Sequence, residues 1–284
     1  MVVDLATSAA LASEGVAPDG GGCHLGSGCG FPAPNGDIFF FDPYVTLSLF
    51  GVDFHINKAV VLMAIGSAII VTFFLVAFRR PKVVPGKTQL VGEVGYLFVR
   101  DGIAREVIGK EGDRFVPFLT TMFFFVWVMN FMGALPFAQF PVMSRVMFPA
   151  GLALIVYVIY MFLGMKHQGV WGFFRNAMFP PGLPIFVYFL LAPIELLGLL
   201  VVRPFTQAIR LFANMFAGHL LLVTFSVGTW YLLSPSVIGI LGSAASFATV
   251  VALTGFEIFI QGLQAFIFTL LTAVYISGSL HAEH

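Results

Sequence analysis

From Ala59 to Phe78 the chain runs for 20 residues without a charged side chain. A helix of about that length crosses the hydrocarbon core of a bilayer, which is about 30 Å thick. Phe115 to about Phe137 and Val146 to Met165 repeat the pattern. Two far longer segments follow, about Leu183 to Leu233 and about Val237 to Leu280. The expected fold is all-α and polytopic, with about five transmembrane helices. Composition agrees. Charged residues make up 10 % of the chain and hydrophobic residues 59 %, and the mean hydropathy is +0.97. A soluble domain carries about 25 % charged residues. The formal net charge is zero, which argues against a nucleic-acid surface.

Basic residues set the expected orientation. Arg79, Arg80, Lys82, Lys87, Arg100, Arg105, Lys110 and Arg114 follow the first span, and Lys166 and Arg175 follow the third. The other side has Arg145, with Lys58 at its boundary. The rule puts the N-terminus outside and the C-terminus in the cytoplasm, and an odd number of spans agrees. Residues 1–50 are expected to form an extracytoplasmic, flexible Gly/Pro/Asp-rich arm, and residues 51–284 a single transmembrane domain. The start lacks the basic region of a signal peptide, so the arm is expected to be retained. Cys23 and Cys29 lie on this oxidising side, either as a pair across a short loop or as two free thiols.

Residues 88–111 are too polar to span. Leu90, Val91, Val94, Leu97, Phe98, Ile103, Val107 and Ile108 are mixed with Glu93, Arg100, Asp101, Arg105, Glu106 and Lys110. This pattern suits an amphipathic helix lying along the cytoplasmic surface, or else a solvated linker. The last two segments are too long to stand upright in a membrane. A 50-residue helix runs about 75 Å. They must be broken, strongly oblique or extended beyond the core. Pro193 and Pro204 interrupt the first of them. The break at Leu233-Ser234-Pro235-Ser236 makes the two an antiparallel hairpin.

These segments carry the charges that matter. Arg210 lies in an apolar run with no acid beside it. A guanidinium stays protonated at any biological pH, and placing it at membrane depth costs several kcal/mol or more. It must face water, a carboxylate or another protein. The 100° step of a helix puts Gln207, Arg210 and Asn214 on one stripe, with Arg203 on the same side. Ala213, Ala217 and Gly218 are small enough to admit a neighbouring helix. His219 falls on the opposite face from Arg210. In the last helix Glu257, Gln261 and Gln264 share a face, and His219 and Glu257 are suited to relaying protons between the two helices. Glu195 is a further intramembrane carboxylate. The structural alternatives are snorkelling of Arg210, its pairing with Glu195 or Glu257, a plain hydrogen-bonded pair at His219 and Glu257, and Gln261 as helix–helix glue.

Other chemistry can be set aside. Gly86-Lys87-Thr88 matches the end of a phosphate-binding loop, but Pro81 stands where that motif needs its first glycine. No ATP chemistry, metal-ligand spacing or nucleophile elbow is expected.

The run Arg210-Leu-Phe-Ala-Asn214-Met-Phe-Ala-Gly218-His219, with Gln264-Ala-Phe-Ile-Phe268 further on, closely resembles subunit a of bacterial F-type ATP synthases. The match is clear over about residues 185–280 and weaker back to about residue 56. The resemblance implies a non-catalytic, cofactor-free stator subunit in the plasma membrane. Its implied partners are a rotating ring of c subunits, peripheral-stalk b-type subunits, the remaining synthase subunits and membrane lipid. It implies that Arg210 faces the ring's carboxylates, with Asn214 and Gln264 along the same interface; the shared stripe and small side chains add Gln207, Ala213 and Ala217 to that expected surface. It further implies that Asn214, His219, Glu257, Gln261 and Gln264 serve proton movement, with Glu195 near the cytoplasmic access path. His219 and Glu257 look exchanged relative to many bacterial members, and Ala213 stands where glycine is usual. An ion-coupled secondary transporter is the alternative, though the internal repeat usual in such proteins is not visible.

Overall fold

The computed structural model describes residues 30–34, 39, 45–49, 52–135, 140–179 and 185–280. Cys23 and Cys29 lie outside the described residues. Among the described residues, five helices are long and apolar enough to cross a membrane: Lys58–Phe78, Lys110–Phe131, Met147–Gln168, Tyr188–Leu232 and Val237–Leu280. The membrane-spanning part is therefore all-α.

Ahead of it stands a feature that helical periodicity missed. Strands β1 (Val45–Leu49) and β2 (Val52–Ile56) pair antiparallel, with Val45 opposite Ile56 and Leu49 opposite Val52. The runs Val-Thr-Leu-Ser-Leu and Val-Asp-Phe-His-Ile alternate apolar and polar residues, which is the period of a strand. This hairpin straddles the boundary placed between residues 50 and 51.

Helix α1 (Lys58–Phe78) starts at Asn57, whose side chain accepts a hydrogen bond from the Val60 amide at 3.2 Å. Little of it is buried beyond Ala59, Gly66 and Ala77, and Ile65, Ile69, Val71 and Leu75 stay exposed. An apolar helix bare on most sides belongs in lipid. Helix α2 (Lys87–Val99) continues as a π-helical turn over Arg100–Arg105. Leu90, Val91, Val94, Leu97 and Phe98 are exposed along it, while Gln89, Gly92, Val99, Ile103 and Ala104 turn inward. The polar surface helix expected at residues 88–111 thus shows an apolar outer face. Arg105 grips Asp113 with two 2.8 Å bonds and fixes the helix to the next span.

That span contains α3 (Val116–Phe131) and ends sooner than hydropathy suggested, at a turn over residues 132–134. Helix α4 (Met147–Gln168) ends at Gly169, whose φ of 73° is left-handed and favours glycine. A short helix α5 (Val170–Met178) follows.

The fourth span is one continuous helical run: α6 (Ile185–Leu197), a π-helical turn at Gly198–Val202, and α7 (Arg203–Leu232). Pro193 and Pro204 do not break it. A proline removes one amide donor and crowds the turn before it, and here a π turn sits just ahead of Pro204. The Tyr160 hydroxyl donates to the Leu199 carbonyl at 2.9 Å within that turn. Helix α8 (Val237–Leu280) has 44 residues, so it is about 66 Å long. A core of about 30 Å holds such a rod only at a strong tilt, or lets it run on beyond the apolar layer.

Helices α3, α4, α7 and α8 pack on one another, with α1 against α2 and α3. Their shared core holds Val126, Met129, Val156, Tyr160, Leu211, Met215, Ala265 and Phe268. The α7–α8 turn is tight. Ser236 accepts from the Gly239 amide at 3.1 Å, and a Cβ on Gly239 would stand 2.8 Å from the Leu232 carbonyl oxygen. Gly239→Val is expected to destabilise the hairpin by about 1–3 kcal/mol through overpacking. The check is a lowered thermal midpoint of the detergent-solubilised protein in its complex.

Candidate functional site

The site is built on the α7–α8 seam, and small polar side chains set its register. Ser243 Oγ donates to the Thr229 carbonyl at 2.8 Å, and Ser246 Oγ to that of Phe225 at 2.9 Å. At the far end Gln207 Nε2 donates to Thr272 Oγ1 at 3.2 Å and to the Phe268 carbonyl at 3.4 Å. Between them the Glu257 carboxyl lies over Gly218, where a Cβ would meet its Oε1 at 3.5 Å. The register of these ties puts Asn214 level with Gln261, and Arg210 level with Ala265 beside Gln264.

The expected stripe on α7 is divided between two surroundings. Arg210 is exposed, as are Ala213 and Ala217. Ile209 beside it is also exposed, and with Ala213 and Ala217 it leaves one guanidinium on a largely apolar outward face. Among the described residues no carboxylate lies within ion-pair distance of Arg210. Pairing with Glu195 or Glu257 is therefore not how this structure accommodates it. Gln207 is only 2 % exposed and is bonded to α8, so it does not share the outward face with Arg210. The 60° offset between positions 207 and 210 is enough to turn one inward and the other out. Arg203 holds its guanidinium 5.7 Å from the ring centre of Tyr275 on α8.

The inward side carries a second group. Glu257 and Gln261 are buried, and Asn214, His219 and Gln264 are partly buried. Among the described residues, both Glu257 oxygens, both amide atoms of Gln261, Asn214 Nδ2 and His219 Nδ1 are buried without a hydrogen-bond partner. His219 and Glu257 are thus brought to neighbouring levels but not bonded to each other. Buried polar atoms are nearly always satisfied by protein or water. Several orphans along one seam mark a stretch suited to water. From position 214 to 219 that stretch is about 7–8 Å long. Glu195, on α6, is partly buried and also lacks an ion pair among the described residues.

Two further buried residues stand out in the structure beyond those named from the sequence. Asn130 on α3 is fully buried, and both its amide atoms lack partners among the described residues. Its signal was available as a lone amide in the apolar run Phe123–Phe131. Phe39 was not foreseeable. It is 3 % exposed, its ring centre lies 5.7 Å from that of His219, and its carbonyl accepts a 2.9 Å bond from Arg145 Nε. A residue assigned to a flexible arm thus packs over the seam.

The profile of the ATP synthase A chain family matches residues 60–277. The chain belongs to this family. Its curated relatives include the ATP synthase subunit a of Streptomyces lividans, 48 % identical over 266 residues and covering 92 % of each chain. That of Frankia alni is 42 % identical over 259 residues, 90 % of this chain and 88 % of the relative. That of a Parafrankia species is 40 % identical over 255 residues, 89 % and 86 % respectively. The matched stretch takes in all of α7 and most of α8, and so every seam residue named above except Phe39.

Within this ATP synthase A chain fold, Gln207→Leu removes two bonds to α8 while keeping the volume. A loss of about 1 kcal/mol is expected, since interhelical side-chain bonds in membranes are modest. A thermal midpoint unchanged in the solubilised complex would show that the two bonds contribute nothing.

Proposed function

We propose that the chain works in the membrane sector of an F-type ATP synthase as the fixed subunit past which a ring of c subunits turns. The observation that carries this reading is the placement of Arg210. It is a permanent cation on an outward apolar face, with no acid of its own chain beside it among the described residues. A ring carboxylate passing that face would supply the missing charge. Asn214 at the edge of the seam, with Ala213 and Ala217 on the outward face, would line the close approach.

The orphaned seam supports the other half of the reading. His219, Glu257, Gln261 and Asn214 form a polar line on the inward side of α7, joined at its edge by Gln264. We take this line as one aqueous half-channel. Protons reach a ring carboxylate through it, and the neutral acid can then face lipid, whereas its anion cannot cheaply do so. Near Arg210 the anion is favoured and the proton is released. Glu195, on the other side of the π turn, serves the second half-channel. The fixed charge of Arg210 keeps protons from passing directly between the two. The driving potential supplies about 2.3 kcal/mol per charge per 100 mV. The subunit itself is non-catalytic, its N-terminus lies outside and its C-terminus in the cytoplasm of a bacterial cell. Peripheral-stalk b-type subunits hold it still against the ring.

Arg210→Ala is expected to abolish ATP-driven proton pumping in assembled complexes reconstituted into vesicles. Coupled pumping at the normal rate would overturn its role. Glu257→Gln is expected to slow passive proton flow through the membrane sector at least tenfold while assembly survives. An unchanged rate would reduce Glu257 to a structural group.

A further inference from the structure

The junction between α1 and α2 holds a feature that the proton path does not use. Residues 79–86 and the helix ends around them form an open cavity of about 440 Å³, lined in part by Arg79, Arg80, Lys82, Gly86, Lys87 and Thr88. Among the described residues none of these four cations makes an ion pair. The nearest acid along α2, Glu93, is engaged by Gln89 Nε2 at 2.6 Å. Gln89 also exchanges two 3.1 Å bonds with the backbone of Lys82 and so holds the loop folded over the start of α2. Basic residues gather at the end of a span for topology alone. Topology requires the charge, but not a pinned loop on which four cations converge around one cavity.

A second cavity, of about 420 Å³, is lined by Phe74, Leu75, Phe78 and Arg79. Its walls are apolar apart from Arg79, which it shares with the first. A cationic basin at the end of a span, with an apolar groove running from it along the span, matches a phosphate joined to an acyl chain. Val83 and Val84 stand bare on the same loop, at 103 % and 82 % exposure. Two bare valines between lysines fit the boundary between headgroups and acyl chains. Free phosphate would use the basin but would leave the groove and the valines unexplained.

We propose that the α1–α2 junction binds one anionic phospholipid. Its phosphate sits among Arg79, Arg80, Lys82 and Lys87, and an acyl chain lies along Phe74, Leu75 and Phe78. The N-cap Gly86 brings no capping side chain to the start of α2, which leaves that end open to an anion. The run Gly86-Lys87-Thr88, unfit for a nucleotide, thereby gains a phosphate of another kind. Clustered basic side chains at a membrane boundary are a general means of holding acidic lipid.

The test uses the intact, delipidated complex in detergent, titrated with short-chain phosphatidylglycerol and followed by native mass spectrometry. The variant Arg80→Gln/Lys82→Gln/Lys87→Gln is expected to lose one bound phosphatidylglycerol per complex, or to hold it at least tenfold more weakly. Lys110→Gln/Lys166→Gln removes two cations outside the cavity and is expected to retain it. If the triple variant does not assemble, Lys82→Gln alone is expected to weaken binding about threefold or more. Retention of the lipid by the cavity variants overturns the proposal, and so does an equal loss in the control. Displacement by glycerol phosphate at the same concentration as the lipid overturns the commitment to a lipid.

Discussion

A guanidinium on an apolar helix has to be matched by something, because it cannot shed its proton. Here the chain does not match Arg210 with an acid of its own among the described residues. The other features of α7 are arranged around that omission. Its inward face is tied to α8 by Gln207 and by contacts over Gly218. Its outward face carries small residues and one charge. A helix held so firmly on one side presents the charge on the other at a fixed place. This is the preorganisation that an electrostatic partner requires.

The inward seam follows the opposite rule. Most buried polar groups in the seam near the turn are satisfied, as at Ser243 and Ser246. Midway along, Glu257, Gln261, Asn214 and His219 are not. The change from bonded to orphaned groups occurs along a single pair of helices. It separates a stretch that holds the hairpin together from a stretch of buried polar groups left without protein partners among the described residues.

Much of this was legible in the chain itself. The spans follow from apolar runs, and the opposite faces of Arg210 and His219 follow from a 100° step. Which of those faces is turned outward is shown only by the structure, where Arg210, Ala213 and Ala217 are exposed. Gln207 was misplaced because a stripe read from spacing has width, and the seam boundary falls within it. Pro193 and Pro204 suggested breaks because proline's local cost is visible in a sequence, whereas the helix that continues through the first and the π turn just ahead of the second are not. Tyr160, from another helix, reaches that turn across 39 positions of sequence. Phe39 escaped notice for the same reason, since only tertiary structure brings it to His219. The β1–β2 hairpin follows a period of two, which a helical period does not register, although its alternation is plain in the sequence.

The unbroken run through α6, the π turn and α7 has a mechanical meaning. A rod snapped at two prolines would flex at each break and let a sideways push on one half go slack before it reached the other. A single rod, clipped at its weakest turn by a tyrosine from a neighbouring helix, behaves as a beam. A sideways load on α7 has a route to α4 through the Tyr160 bond, which is what the reading of this subunit as a fixed element beside a turning ring would call for.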